Sequence, residues 1–149
     1  MNVGDLQPRR FAGYAAIFDH PDRGGDIVRK GAFGHAAKAG LPLLWQHDRA
    51  RRIGFIERLE EDDRGLRVVA TMDADAPPVA DGAGLSFGYR VRAAGTVKKA
   101  NGTYRELTDL DLIEVSIVNH PMQPLARVLK TSPLPQAGGG FIQGETDGL

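Results

Sequence analysis

The chain has 149 residues, 42% of them hydrophobic and 26% charged, the size and composition of one soluble globular domain that buries its own core. Nineteen basic residues balance nineteen acidic ones and there is no cysteine. That argues against a broad nucleic-acid surface and removes disulfides, thiolate metal sites and a cysteine nucleophile. No apolar run approaches the roughly 20 residues of a membrane-spanning helix, and Met1-Asn2-Val3-Gly4-Asp5 carries neither the basic nor the apolar region of a signal peptide.

In chain order, residues 11–18 (FAGYAAIF) predict a first strand, and the turn-forming run DHPDRGGD at 19–26 predicts a loop. Gly31-Ala32-Phe33 opens an alanine-rich stretch through Ala39, stopped by Gly40 and Pro42, which predicts a short helix. Leu43-Leu44-Trp45 is a short strand that runs into Gln46-His47-Asp48. Residues 53–56 and 66–72 flank a charged loop, EEDDRG, and predict a hairpin. Arg49, Arg51 and Arg52 read as a solvated turn.

Residues 73–84, with Pro77 and Pro78, form a loop. Residues 85–97 alternate, with Phe87, Tyr89 and Val91 on one side and Ser86, Gly88, Arg90 and Arg92 on the other. Asn101-Gly102 marks a hairpin turn. Residues 110–118 (LDLIEVSIV) are the most strand-like segment, closed by Pro121 and Pro124. Residues 131–149, rich in glycine and proline, are expected to form a flexible tail, leaving 1–130 as the domain. About seven short strands with one or two short helices predict a mainly β fold, a barrel or a curved antiparallel sheet.

Gly84-Leu85-Ser86-Phe87-Gly88 matches the G-x-S-x-G nucleophile pattern. An α/β-hydrolase elbow needs a helix after the serine, whereas strand follows here, so that fold is rejected. A strand serine between flexible glycines fits the pattern as well. A serine nucleophile needs a base that exchanges protons near neutral pH, and four histidines are available. His20 in a charged loop and His35 on the short helix read as exposed. His47 ends an apolar strand beside a loop, where a rigid scaffold presents reactive groups. A third group must hold the tautomer of such a base. Glu114 is one candidate, on a strand face with Leu112, Ser116 and Val118 and opposite Ile113, Val115 and Ile117. His120 is the other. Asp19, His20, Asp22 and Asp26 are ligand types crowded together, but without the spacing of a metal motif.

Four segments together carry a resemblance. They are Asp22-Arg23-Gly24-Gly25-Asp26-Ile27-Val28 with Gly31-Ala32-Phe33; Leu43-Leu44-Trp45-Gln46-His47-Asp48 with Ile53-Gly54; Leu85-Ser86-Phe87-Gly88-Tyr89; and Leu112-Ile113-Glu114-Val115-Ser116-Ile117-Val118 with Pro121. In this order and spacing the chain resembles the prohead (capsid maturation) serine proteases of tailed phages and gene transfer agents, and distantly herpesvirus assemblin.

The resemblance implies a distorted closed antiparallel β-barrel of about seven strands, flanked by helices. It implies a serine endopeptidase that cleaves scaffold or the N-terminal segment of the major capsid protein during prohead maturation. On this resemblance Ser86 is the nucleophile and His47 the base; it assigns no oxyanion donors, for which backbone amides near Arg90 to Ala93 are one candidate. Herpesvirus members use a second histidine, which favours His120; phage members commonly keep a glutamate, which favours Glu114. Glu114 is preferred because a carboxylate better supports the imidazolium.

The resemblance further implies no cofactor and no metal, and capsid protein and scaffold as protein partners, without nucleic acid or membrane. It implies a homodimer, and action in the bacterial cytoplasm inside the assembling procapsid. The chain departs from many members in having only a short tail after Ala126 where they carry a long extension. A catalytically inactive, scaffold-associated capsid assembly protein and a small acyl hydrolase are the alternative functions.

Overall fold

The computed structural model describes residues 9–34 and 40–133. Eight strands follow one another: β1 (Arg9–Ile17), β2 (Asp26–Val28), β3 (Pro42–Trp45), β4 (Asp48–Glu61), β5 (Gly65–Met72), β6 (Gly84–Lys99), β7 (Gly102–Val118) and β8 (Val128–Pro133). The fold is mainly β, as the frequent turn signals require, and no helix occurs among the described residues. Each strand sends apolar side chains to one interior. Phe11, Leu43, Ile56, Val68, Leu85, Leu110 and Val115 meet there without solvent exposure. Burying such side chains contributes roughly 1.5–3 kcal/mol each.

The strands run in the order β2-β7-β3-β4-β5-β1-β8, with β6 pairing along β7. The expected closed antiparallel barrel is not what forms. β2 and β3 both run parallel to β7, so the sheet is mixed, and it does not close by strand ladders. The seam between β6 and β1 is spanned by residues 126–128, which touch β6 through a single bridge, Gly84 to Arg127. A few backbone bonds, such as Leu85 N–H to the Ala126 carbonyl and Tyr14 N–H to that of Arg127, complete it. The physical reason is local: β8 proper begins at Val128 and pairs with β1, with a register break between Ala12 and Gly13.

Three further expectations change. The segment read as a loop at 19–26 delivers β2, because Ile27 and Val28 bury fully against β7 and Arg105 grips Asp26 through two hydrogen bonds of 2.9 and 2.7 Å. The helix expected from Gly31 is replaced by turns at residues 31–34, whose amides at Gly31 and Phe33 donate to the Glu61 carboxylate; residues 35–39, with His35, lie outside the described residues. Residues 131–133, read as the start of the tail, pair with β1 as the end of β8, and 134–149 lie outside the described residues.

The β4–β5 hairpin turns at the charged loop, as expected, and leads into β5 at Gly65. Asp62 Oδ1 accepts from the amides of Arg64 and Gly65 at 2.8 and 3.0 Å. A Cβ on Gly65 would stand 1.9 Å from the Ala16 carbonyl oxygen of β1. Gly65→Ala is therefore expected to spread β1 from β5 and cost about 1–3 kcal/mol, read as a lower urea midpoint at unchanged slope.

Candidate active site

β7 runs between β3 and β6 in this part of the sheet. Register sets Leu44 of β3 and Ser86 of β6 on either side of Ser116. Residues paired in register share a face, so Leu44, Ser116 and Ser86 form a row on the face away from the core, while Leu43, Val115 and Leu85 point inward. Glu114 lies two residues before Ser116 on that outer face, opposite Gly88. Although they face away from the core, Ser86, Glu114 and Ser116 are buried, at 7%, 6% and 0% exposure.

The loop that brings in His47 is a two-residue hairpin turn. Trp45 pairs with Asp48, and the residues between, Gln46 and His47, have φ of 54° and 61°. Two left-handed residues define a type I′ turn, and non-glycine residues held there cost about 1–3 kcal/mol each. β7 and the residue after it hold the turn: Gln46 N–H donates to the Ile117 carbonyl at 2.8 Å, His47 N–H to Ser116 Oγ at 3.1 Å, and Asn119 N–H, just past the strand, to Gln46 Oε1 at 3.3 Å.

Folding of the turn sets His47 Nδ1 2.6 Å from Glu114 Oε1. The other carboxylate oxygen, Oε2, accepts from Ser116 Oγ at 2.6 Å. Ser116 thus accepts from the backbone of His47 and donates to the group that holds the His47 ring. The hydrogen bond to Glu114, with the charge of its carboxylate, raises the His47 pKa above its ordinary 6.5, against a smaller lowering by burial. A base raised in the folded state stabilises the fold below its unfolded pKa, near 6.5, and loses that contribution as pH rises through the folded value.

The structure brings Ser86, His47 and Glu114 to one face. No hydrogen bond joins Ser86 Oγ to His47 among the described residues, and contacts of this kind commonly tighten only when substrate binds. His120 is exposed in the bend after β7 and has no hydrogen bond to His47 among those residues. His20 is exposed too. The crowded carboxylates serve structure: Asp19 pairs with Arg29, Asp22 Oδ1 accepts from the amides of Gly24 and Asp26, and Asp26 pairs with Arg105.

Two sequence expectations about this region change. Tyr89 pairs with Leu112 and Gly88 with Glu114, so Ile113 is an extra residue, a bulge. The bulge turns Leu112 into the core and brings Ile113 out beside Glu114, opposite to simple alternation. Arg90 lies four residues along an extended strand from Ser86, roughly 13 Å by strand rise, too far for amides at 90–93 to share one carbonyl with Ser86. The flanking glycines of the serine pattern also find a reason other than an elbow. A Cβ on Gly84 would meet the Val118 carbonyl at 2.6 Å, and one on Gly88 would meet Glu114 Oε1 at 2.3 Å. Gly88 is the space in which the Glu114 carboxylate sits. The sequence marked Gly88 only as part of the serine pattern and gave Ser116 no role of its own; a serine two residues after Glu114 is the signal for the latter, and it is a weak one.

A buried carboxylate that orients an imidazole, with a serine in register on the same face, is the kind of constellation serine hydrolases use. A family model described as caudovirus prohead serine protease matches residues 2–134, and the chain belongs to that family. The family is one of serine peptidases of capsid maturation, which act inside the procapsid. No curated protein matches the chain. No helix among the described residues is long and apolar enough to cross a membrane.

Titrating the His47 ring by NMR is expected to give a pKa above 6.5. Glu114→Gln and Gly88→Ala should both bring it down, the second because the new methyl displaces the carboxylate. An unchanged His47 titration in both would remove Glu114 as the orienting group.

Proposed function

We propose that this protein is a serine endopeptidase that trims scaffold or the N-terminal segment of the major capsid protein within the assembling procapsid, with Ser86, His47 and Glu114 as its catalytic triad. The observation that carries this reading is the 2.6 Å bond from His47 Nδ1 to Glu114, made on the face that Ser86 shares. With Nδ1–H donated to the carboxylate, Nε2 keeps the lone pair and is the atom free to take a proton.

In the first half-reaction Ser86 Oγ bonds to the scissile carbonyl carbon and passes its proton to His47 Nε2. The imidazolium formed is stabilised by Glu114 and returns the proton to the leaving amine as the C–N bond breaks. Water then repeats the sequence on the acyl-serine. Because His47 must be neutral to act, kcat/KM should rise with pH through a value above 6.5, following the direction of its shift.

Co-expression with the capsid precursor, read by intact mass, tests the reaction. Wild type is expected to trim the precursor at one bond and Ser86→Ala to leave it whole. If both leave it whole although the protein is folded and encapsidated, the chain acts as an assembly factor and the reading fails. Glu114→Ala is expected to cost about 10³–10⁴-fold in kcat and His120→Ala little; the reverse order would make His120 the third member.

Ser116 supports the triad as a positioning residue. Removing its hydroxyl in Ser116→Ala frees the His47 amide and leaves the Glu114 charge to His47 alone. The expected result is a loss of up to about 10²-fold in kcat, the scale of a misplaced catalytic group, with the acid limb of the pH profile moved upward. A loss with an unmoved profile would reduce Ser116 to a packing role.

A further inference from the structure

Beside Glu114, on the same outer face, lies a cleft of about 240 Å³ lined by Pro42, Leu44, Arg49, Arg52, Ile113 and Glu114. Its floor is apolar. Pro42 and Leu44 come from β3, and Ile113 is there because the β7 bulge turns it outward. Its mouth is cationic. Arg49 and Arg52, on the exposed start of β4, have no carboxylate partner among the described residues. Arg52 commits only Nε, to the Gly54 carbonyl at 3.0 Å, which leaves its terminal nitrogens available. Arg51, the third member of the cluster, behaves differently and lies over the Trp45 ring at 5.7 Å. Among the described residues the one carboxylate that lines the cleft, Glu114, is already held by His47 and Ser116.

Register gives the distance from the cleft to the nucleophile. Arg52 pairs with Leu44, Leu44 with Ser116, and Ser116 with Ser86, so the row crosses four neighbouring strands. At about 4.8 Å per strand, Leu44 stands two strands and about 10 Å from Ser86. An extended peptide advances about 3.3 Å per residue, so the cleft lies about three residues from a bond held at Ser86.

We propose that this cleft is a substrate subsite that takes an apolar side chain, about three residues from the scissile bond, next to an acidic residue held by Arg49 and Arg52. The apolar floor supplies burial, and the paired guanidiniums supply charge complementarity to a carboxylate. The proposal rests on the protease reading for its link to Ser86, but its content comes from the cleft alone.

The test separates the two. Binding is measured on the folded Ser86→Ala protein by fluorescence anisotropy, with dye-labelled decapeptides of glycine and serine that carry a central Leu-Glu, Leu-Lys or Ser-Glu step. Leu-Glu is expected to bind at least about tenfold tighter than either of the others. Arg49→Glu combined with Arg52→Glu, both at exposed positions, is expected to reverse the order of Leu-Glu and Leu-Lys. Ile113→Trp, which fills the cleft, is expected to erase the advantage of Leu-Glu over Ser-Glu. Equal binding of the three peptides, or an unreversed order in the charge-swapped protein, overturns the subsite. A Leu-Glu preference in a protein that cleaves no precursor when Ser86 is intact upholds the subsite and sinks the protease reading. Precursor cleavage without any binding preference does the opposite.

Discussion

The hydroxyl of Ser116 is where three parts of the chain are tied together. It accepts from the His47 amide and donates to Glu114, and its strand neighbours are Leu44 and Ser86. Take away the parallel pairing of β3 with β7 and the turn that carries His47 has no anchor. Take away the antiparallel pairing of β6 with β7 and Ser86 leaves the row. The fold serves the proposed site through one strand, β7, whose two edges receive the turn that carries His47 and the strand that carries Ser86. That the hydroxyl is fully buried raises the stakes, because an unpaired polar group there would cost about 1–3 kcal/mol.

The site is built on the outside of a curled sheet rather than in its core. Alternation makes this workable: the inward residues of β3, β6 and β7 supply the packing, and the outward ones are free to be polar. Two irregularities then adjust the outer face. The Ile113 bulge opens the cleft beside Glu114, and the left-handed Gln46-His47 turn folds the imidazole back over β7. Both carry local cost, and both sit at the site, as strained or irregular segments at functional positions often do.

Much of the fold was legible in the sequence because strand signals are local. Residues 11–18, the hairpin around the charged loop, the alternation after Ser86 and the long apolar run ending at Val118 all became strands close to where they were read. The parts that were not legible depend on partners distant in sequence. β2 is three residues long and exists only because β7 offers it an edge and Arg105 a counter-charge for Asp26. Of the helix expected from Gly31 through Ala39, the described part, 31–34, forms turns capped by Glu61, about 30 residues further along the chain.

Taken alone, the sequence determined the class of fold and the residue types available for chemistry: a cysteine-free, mainly β domain with four histidines and a glycine-flanked serine, in an order that resembles one family of proteases. Those properties follow from composition, periodicity and short motifs, which are written locally in the chain. The tertiary structure decided which residues meet. It brought Glu114 rather than His120 to the imidazole, introduced Ser116 and Gly88 as the residues that hold and make room for that carboxylate, and left the sheet open where a closed barrel was expected. Those outcomes rest on register, on one bulge and on the sign of φ at two turn residues. A one-residue shift in register turns a strand over, so no local pattern could have specified them.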